Sequence, residues 1–235
     1  MKQTTSFLST SGPSRAAHTV SQAEALLDAG DWQAAAKLAL SSGTADGYNL
    51  AAKALVLGST RADAQPDTLD RAEQAATLAL KAAPQDPMSH FEMAQVMGRK
   101  VQRAGLFDKL SLIQKIKAHL QTGLKLDPRH PQCHAALAVM HAEIVSKGAV
   151  IALVLGANRD SALKHFEETV RADPHTVMYR EEYGKALLDL GRRDPALRER
   201  GYAQLREALR LQARNVWEEQ SQARVRRLLD HPAAA

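Results

Sequence analysis

The chain contains only one cysteine, Cys133, among 235 residues. A single thiol cannot form an internal disulfide, which excludes the disulfide-stapled secreted domains and fits a reducing compartment. The sequence also lacks any apolar run of about eighteen residues that could span a bilayer. Its N-terminal segment lacks the apolar core of roughly 7–15 residues that a signal peptide needs. We therefore expect a cytoplasmic protein with no integral membrane segment.

Aromatic residues are scarce as well, at 4% of the chain, although the hydrophobic fraction is 45%. Alanine supplies much of that fraction, and helices that pack through alanine can approach one another closely. The 13 glycines and 9 prolines lie mainly between segments with apolar residues at helical spacing. This pattern predicts an all-α protein.

The motifs of common enzymes are missing. The sequence contains no GxxxxGK[ST], GxSxG, GxGxxG or HExxH, so the usual phosphate cradle, nucleophile elbow and zinc helix are not indicated. We predict no enzymatic activity, no cofactor and no metal.

Cys133 and three histidines are the residues that come nearest to a reactive site. Cys133 follows Pro131 in the first turn of a predicted helix, where backbone N–H groups can lower a thiol pKa. The adjacent His134 points about 100° away, however, and no carboxylate is placed to orient it. His130 precedes Pro131 and lies outside the helix, which breaks the four-residue spacing to His134 that a metal pair would need. We expect His134 and His141 to serve packing or buried hydrogen bonds, and Cys133 to be a small packed thiol.

Three segments share one ending, a helix-like run stopped by proline at Pro84, Pro128 and Pro174. These prolines are 44 and 46 residues apart, a period typical of stacked helical hairpins, which bury their apolar stripes only against neighbours. We predict about five antiparallel hairpins in an α–α superhelix, with a C-terminal capping helix. Asp31, Asp67 and Asn215 are the expected N-caps of three of the helices.

The domain boundaries follow from the same pattern. We expect a flexible tail over 1–17, the repeat domain over 18–213, the capping helix over 214–230 and a disordered tail over 231–235.

The units resemble tetratricopeptide repeats, in which an alanine, a bulky residue, a small residue and a proline recur in order. Ala162, Phe166, Thr169 and Pro174 follow that order, although the period here exceeds the usual length of about 34 residues. The segments 115–119, 126–131 and 161–166 further resemble the regulator of microtubule dynamics family. This resemblance implies a scaffold with long hairpins. The microtubule association of eukaryotic members is not carried over, because the alanine- and arginine-rich composition is typical of bacterial proteins.

A groove along the first helix of each hairpin is the predicted functional surface, since solenoids offer this concave face to peptides or helices. The partner is a protein or peptide whose identity the sequence leaves open, and the predicted function is that of a non-catalytic scaffold. The groove lacks the repeated Lys/Asn set that would capture a C-terminal carboxylate. The residues expected to line it are Phe91, Gln95, Arg99, Gln132, Ala135, Val139, Glu143, Glu181, Lys185 and Asp189.

The alternative function is nucleic-acid binding by an arginine-rich C-terminal surface, since the net charge is +5. Many of these arginines have an acidic residue three or four positions away, so we expect solvated ion pairs rather than contacts with nucleic acid. The arginines concerned are Arg206, Arg210, Arg214, Arg224, Arg226 and Arg227.

The segment 148–156 is uncharged, apolar and bounded by glycines. Three interpretations remain open for it. It can be a short helix folded back onto the array, a dimer contact through Val150–Leu155, or an exposed element that inserts into a partner or a membrane surface.

Overall fold

The structure is a computed structural model, and it describes residues 14–230 of the chain. Twelve α-helices and no strand occur in that part. The helices are α1 (Arg15–Asp28), α2 (Trp32–Ser41), α3 (Ala45–Gly58), α4 (Thr68–Ala82), α5 (Pro87–Val101), α6 (Leu106–Leu126), α7 (Pro131–Ser146), α8 (Ala149–Leu155), α9 (Arg159–Ala172), α10 (Val177–Leu190), α11 (Pro195–Arg210) and α12 (Val216–Asp230).

Five hairpins account for ten of these helices. They pair α1 with α2, α3 with α4, α5 with α6, α7 with α9 and α10 with α11, while the short α8 lies in the connection of the fourth hairpin. The first helices of successive hairpins also contact one another, and α12 packs on α10 and α11 as the next first helix would. The predicted superhelix of about five hairpins with a C-terminal capping helix is therefore confirmed.

Local capping explains where several helices begin. Asp31 accepts a hydrogen bond from the Ala34 N–H at 3.0 Å, and Asn215 accepts from the N–H groups of Trp217 and Glu218. Asp67 occupies the N-cap position of α4 but makes no side-chain cap bond, because its backbone is already in the right-handed helical region. The prediction of a capping role for the Asp67 side chain is thus wrong.

Helix α1 extends into the segment predicted as an N-terminal tail. Helix α1 begins at Arg15, whose backbone follows the N-cap Ser14, so the last three residues of the expected 1–17 tail are helical. Residues 1–13 and the expected disordered tail over 231–235 lie outside the described residues.

Alanine is the commonest residue of the core at the N-terminal end, whereas aromatic rings stack in the core between α9 and α10. Many alanines between α2 and α4 are fully buried, and a Cβ atom built on Gly58 would fall 2.1 Å from the Trp32 ring. Between α9 and α10, the rings of Phe166 and Tyr183 stack with centroids 4.8 Å apart. The helices at the N-terminal end therefore pack through alanine and glycine, as the composition indicates.

Helix α8 folds back onto the array. Ala152 and Leu155 are buried with Ile144 of α7, and the helix ends at Gly156, whose φ of 62° lies in the left-handed region. The first of the three interpretations of segment 148–156 is confirmed for this inner face. The outer face of α8 is exposed. Within residues 14–230, no helix is both long and apolar enough to cross a membrane.

Candidate functional site

The predicted groove residues all lie on α5, α7 and α10, three first helices that are neighbours in the array. Their exposure divides them into three groups. Phe91 and Glu181 are buried, and Glu143 and Asp189 are exposed. The half-buried residues are Gln95, Arg99, Gln132, Ala135, Val139 and Lys185.

Phe91 belongs to the core rather than to an open groove. Its side chain is 9% exposed and lies in the cluster that contains Leu120, Cys133 and Leu137. The ring also lies 6.2 Å from that of His130. The Phe91 ring thus lies in the core where α5, α6 and α7 meet. The prediction that Phe91 lines the groove surface is therefore wrong.

Glu181 is covered by the C-terminal helix. Only 2% of it is exposed, and its carboxylate accepts hydrogen bonds from Arg224 at 2.7 and 2.8 Å and from Ser221. Burial alone would raise the pKa of Glu181, but the hydrogen bonds from Arg224 and Ser221 outweigh it and hold the pKa below its ordinary value. This end of the expected groove is therefore occupied by α12, and Glu181 is not available to a partner.

Two charged residues of the predicted groove differ from Glu181 in having no ion-pair partner within residues 14–230. Arg99 on α5 and Glu143 on α7 make no ion pair within residues 14–230, whereas Lys185 contacts Glu182 at 2.7 Å and Asp189 contacts Arg192 at 3.4 Å. Val139 lies one turn before Glu143 on the same helix. Of the residues predicted to line the groove, Arg99, Glu143 and Val139 thus provide a cation, an anion and an apolar position that α12 does not cover.

The C-terminal arginines are mostly neutralised by acidic neighbours. Four of the six named above make ion pairs between 2.7 and 3.3 Å, and these pairs are Arg206–Glu199, Arg210–Glu207, Arg214–Glu218 and Arg224–Glu181. A nucleic-acid surface needs cations that can contact phosphates. The pairing therefore counts against the alternative function.

A histidine pair recurs in two successive units. His90 Nε2 lies 3.1 Å from the Pro84 carbonyl oxygen, and its Nδ1 lies 3.0 Å from His119 Nδ1. His134 repeats both contacts, at 3.0 Å from the Pro128 oxygen and 2.8 Å from His165 Nδ1. The prediction that His134 serves buried hydrogen bonding is confirmed.

The next unit has the same contacts with different residues. Arg180 donates to the Pro174 carbonyl oxygen and, at 2.8 Å, to Gln204 Oε1. All three units thus use the sixth residue after the proline to tie the turn to the second helix of the hairpin.

The contacts constrain where the protons of each histidine pair can lie. A carbonyl oxygen can only accept, so Nε2 of His134 donates to the Pro128 oxygen, and of the two facing Nδ1 atoms one donates to the other. Burial, followed by the charges of His134 and His141, lowers the pKa of His165 to about 4. Protons on both facing Nδ1 atoms would place two donors against each other.

The remaining candidates for chemistry have structural roles. Burial raises the pKa of the Cys133 thiol to about 12, so the thiolate that a nucleophile needs is disfavoured despite the helix N-terminus. A Cβ built on Gly123 would lie 2.6 Å from the Cys133 sulfur, which shows how closely the thiol packs. His141 is buried and accepts a hydrogen bond from the Asn158 N–H. The described residues contain no group of three or more His, Cys, Asp or Glu side chains that could hold a metal ion.

A contact between the two ends of the array is absent from the sequence-based predictions. The indole Nε1–H of Trp217 donates to the Leu27 carbonyl oxygen at 2.7 Å, and the Arg61 guanidinium lies 5.9 Å from the ring centroid. The superhelix therefore brings α12 against α1 and against the α3–α4 connection. No local signal marks this contact, because the partners are 190 residues apart.

A family model described as regulator of microtubule dynamics protein 1-3 matches residues 49–232 of the chain. The chain belongs to this family. The match includes the hairpins from α3 onward and α12, so it spans the candidate groove and the helix that covers its end.

Among solved structures, the chain is similar to TTC0263, a thermophilic tetratricopeptide-repeat protein from Thermus thermophilus. The TM-score is 0.66 at 14% identity, over 89% of this chain and 98% of that one. YrrB, a tetratricopeptide-repeat protein with an unusual peptide-binding site, gives a TM-score of 0.42 at 14% identity, over 87% of this chain and 90% of that one. No match is found among curated protein sequences. The similarity to TTC0263 supports the repeat fold.

Proposed function

We propose that this family member is a non-catalytic cytoplasmic scaffold that holds a segment of another protein along α5 and α7. The observation that supports the proposal is that Arg99 and Glu143, on the neighbouring helices α5 and α7, make no ion pair within residues 14–230. The chemically reactive side chains, by contrast, are engaged in packing and hydrogen bonding. Recognition of a partner is the role that these surfaces support.

The charge and polarity of the groove residues indicate which kind of segment would bind. Arg99 would contact an acidic side chain, Glu143 a basic one and Val139 an apolar one between them. A segment with both charge signs around an apolar residue fits this order. Because α12 covers Glu181, the partner segment would end before α10 or contact only the exposed Asp189 at its far end.

The test measures the affinity of a captured partner for the wild-type protein and for Arg99→Ala and Glu143→Ala. Each substitution should weaken binding about tenfold, since the loss of a charge-assisted contact costs roughly 1.5–3 kcal/mol. Arg129→Ala and Glu24→Ala are matched controls, because both residues are exposed and lie outside the groove. Equal affinity of all four variants would refute the groove assignment.

A further inference from the structure

The outer face of α8 is the largest concentration of exposed aliphatic side chains in the described residues. Val150, Leu153 and Val154 are 76, 83 and 68% exposed, and Ile151 is 44% exposed. Among the side chains whose exposure the structure describes, which are those of residues 14–105 and 108–230, four of the six exposed large hydrophobic ones thus belong to this one helix. Concentration on one face distinguishes them from the single exposed apolar residues that occur on any protein surface.

The structure holds α8 in a fixed position. Its inner residues Ala152 and Leu155 pack with Ile144, and Lys117 of α6 donates to the Leu155 carbonyl oxygen at 3.4 Å. The Ala157 N–H closes the C-terminal end by donating to the Ala152 oxygen at 2.8 Å. The exposed face is therefore presented by a supported helix at one edge of the array.

Two lysines adjoin α8. Lys147 lies two residues before the helix, and Lys117 contacts its last residue. Helix α6, which supplies Lys117, carries four lysines and one aspartate. Acidic residues also flank α8, since the exposed Glu143 lies four residues before Lys147 on α7 and the exposed Asp160 follows the helix, beside the Arg159–Asp194 ion pair.

The exposed apolar area of α8 and the charge of the adjoining lysines together indicate what binds to its outer face. The four side chains expose roughly 400 Å² of apolar surface. A second copy of the chain docking through α8 alone would bury about twice that in total, which is below the roughly 1,200 Å² of a stable interface. It would also bring two sets of lysines together. A bilayer surface can take up the whole apolar face without a complementary shape, and its anionic headgroups suit the lysines.

We propose that α8 docks the protein onto a membrane surface that contains anionic lipids. Val150, Leu153 and Val154 enter the boundary between headgroups and acyl chains, while Lys117 and Lys147 contact lipid phosphates. Neither the apolar insertion nor the lysine contacts suffice alone, because stable attachment of a protein to a bilayer takes both an apolar and an electrostatic contribution. The array would then be held at the membrane through the edge that carries α8.

The test is co-sedimentation of the full chain with phosphatidylcholine vesicles that contain either none or about 30% phosphatidylserine. The wild-type protein should bind the anionic vesicles and bind the neutral ones more weakly. Leu153→Gln should reduce binding to the anionic vesicles about tenfold or more, since the leucine is no longer transferred from water. Lys147→Gln should reduce it several-fold and lessen the sensitivity of binding to salt.

Leu78→Gln on α4 is the matched control, because Leu78 is the exposed leucine of a helix that does not contact α8. It should bind like the wild type, and thermal unfolding checks that each variant is folded. Equal binding of Leu153→Gln and Leu78→Gln would overturn the proposal, because attachment would then depend on charge elsewhere. The proposal would also be overturned if the wild-type protein bound neither kind of vesicle. Dimerisation through α8, seen by light scattering and abolished by Leu153→Gln, would overturn it as well.

Discussion

Acidification should destabilise the fold through the His134–His165 pair. The unfolded chain binds the His165 proton with the ordinary pKa of 6.5, whereas burial and the charges of His134, His141 and Lys164 lower the pKa to about 4 in the folded protein. Glu168 acts in the opposite direction. Because the folded state binds this proton more weakly, the stability is complete above pH 6.5 and is lost as the pH falls toward 4.

The size of the effect follows from the shift and from the partial exposure of His165. A shift of this size in a fully buried group would correspond to about 3 kcal/mol. Since His165 is only half-buried, solvent screening reduces the expected loss to roughly 1–2 kcal/mol between pH 7.5 and 4.5. Burial and His90 likewise lower the pKa of His119, so the other pair should add to the same trend.

The chain itself offers the control for this experiment. Arg180 and Gln204 make the equivalent contacts in the next unit without a histidine, so His134→Arg with His165→Gln should keep the geometry and remove the titration. Urea unfolding would be followed by circular dichroism at several pH values for both proteins. The wild type should lose roughly 1–2 kcal/mol more than the double variant on acidification. Parallel pH profiles would refute the reasoning, since other titrating groups are common to both chains.

Two further outcomes are expected. Burial raises the pKa of Glu92 to about 8 against the opposing charge of Lys53, so its contribution to stability is complete below pH 4.5 and is lost as the pH rises to 8. Glu92→Gln should therefore raise the free energy of unfolding by about 2–3 kcal/mol at pH 8 and hardly at all at pH 4.5, and urea titrations that show equal gains at both values would contradict this. Trp217→Phe removes the hydrogen bond to the Leu27 oxygen and should cost about 1 kcal/mol. Amide exchange should rise at the α1–α2 turn but not at the turn after Pro128, and unchanged exchange at both would show that the two ends of the array are not joined through Trp217.

The sequence by itself determined the repeat architecture, because its signals act over short distances along the chain. Pro84, Pro128 and Pro174 end helices wherever they occur, and Asp31 and Asn215 cap helices through residues two or three positions away. The same local register brings the residues predicted to line the groove onto the neighbouring helices α5, α7 and α10.

Only the tertiary structure decided which parts of that surface stay accessible. Glu181 contacts Arg224, 43 residues away in the sequence, and Trp217 contacts Leu27, 190 residues away. The outer face of α8 is exposed. Small rotations between successive hairpins accumulate along a superhelix and determine which distant residues come into contact. Helical periodicity specifies the face of a helix on which a side chain lies, but the curvature of the whole array determines what lies opposite.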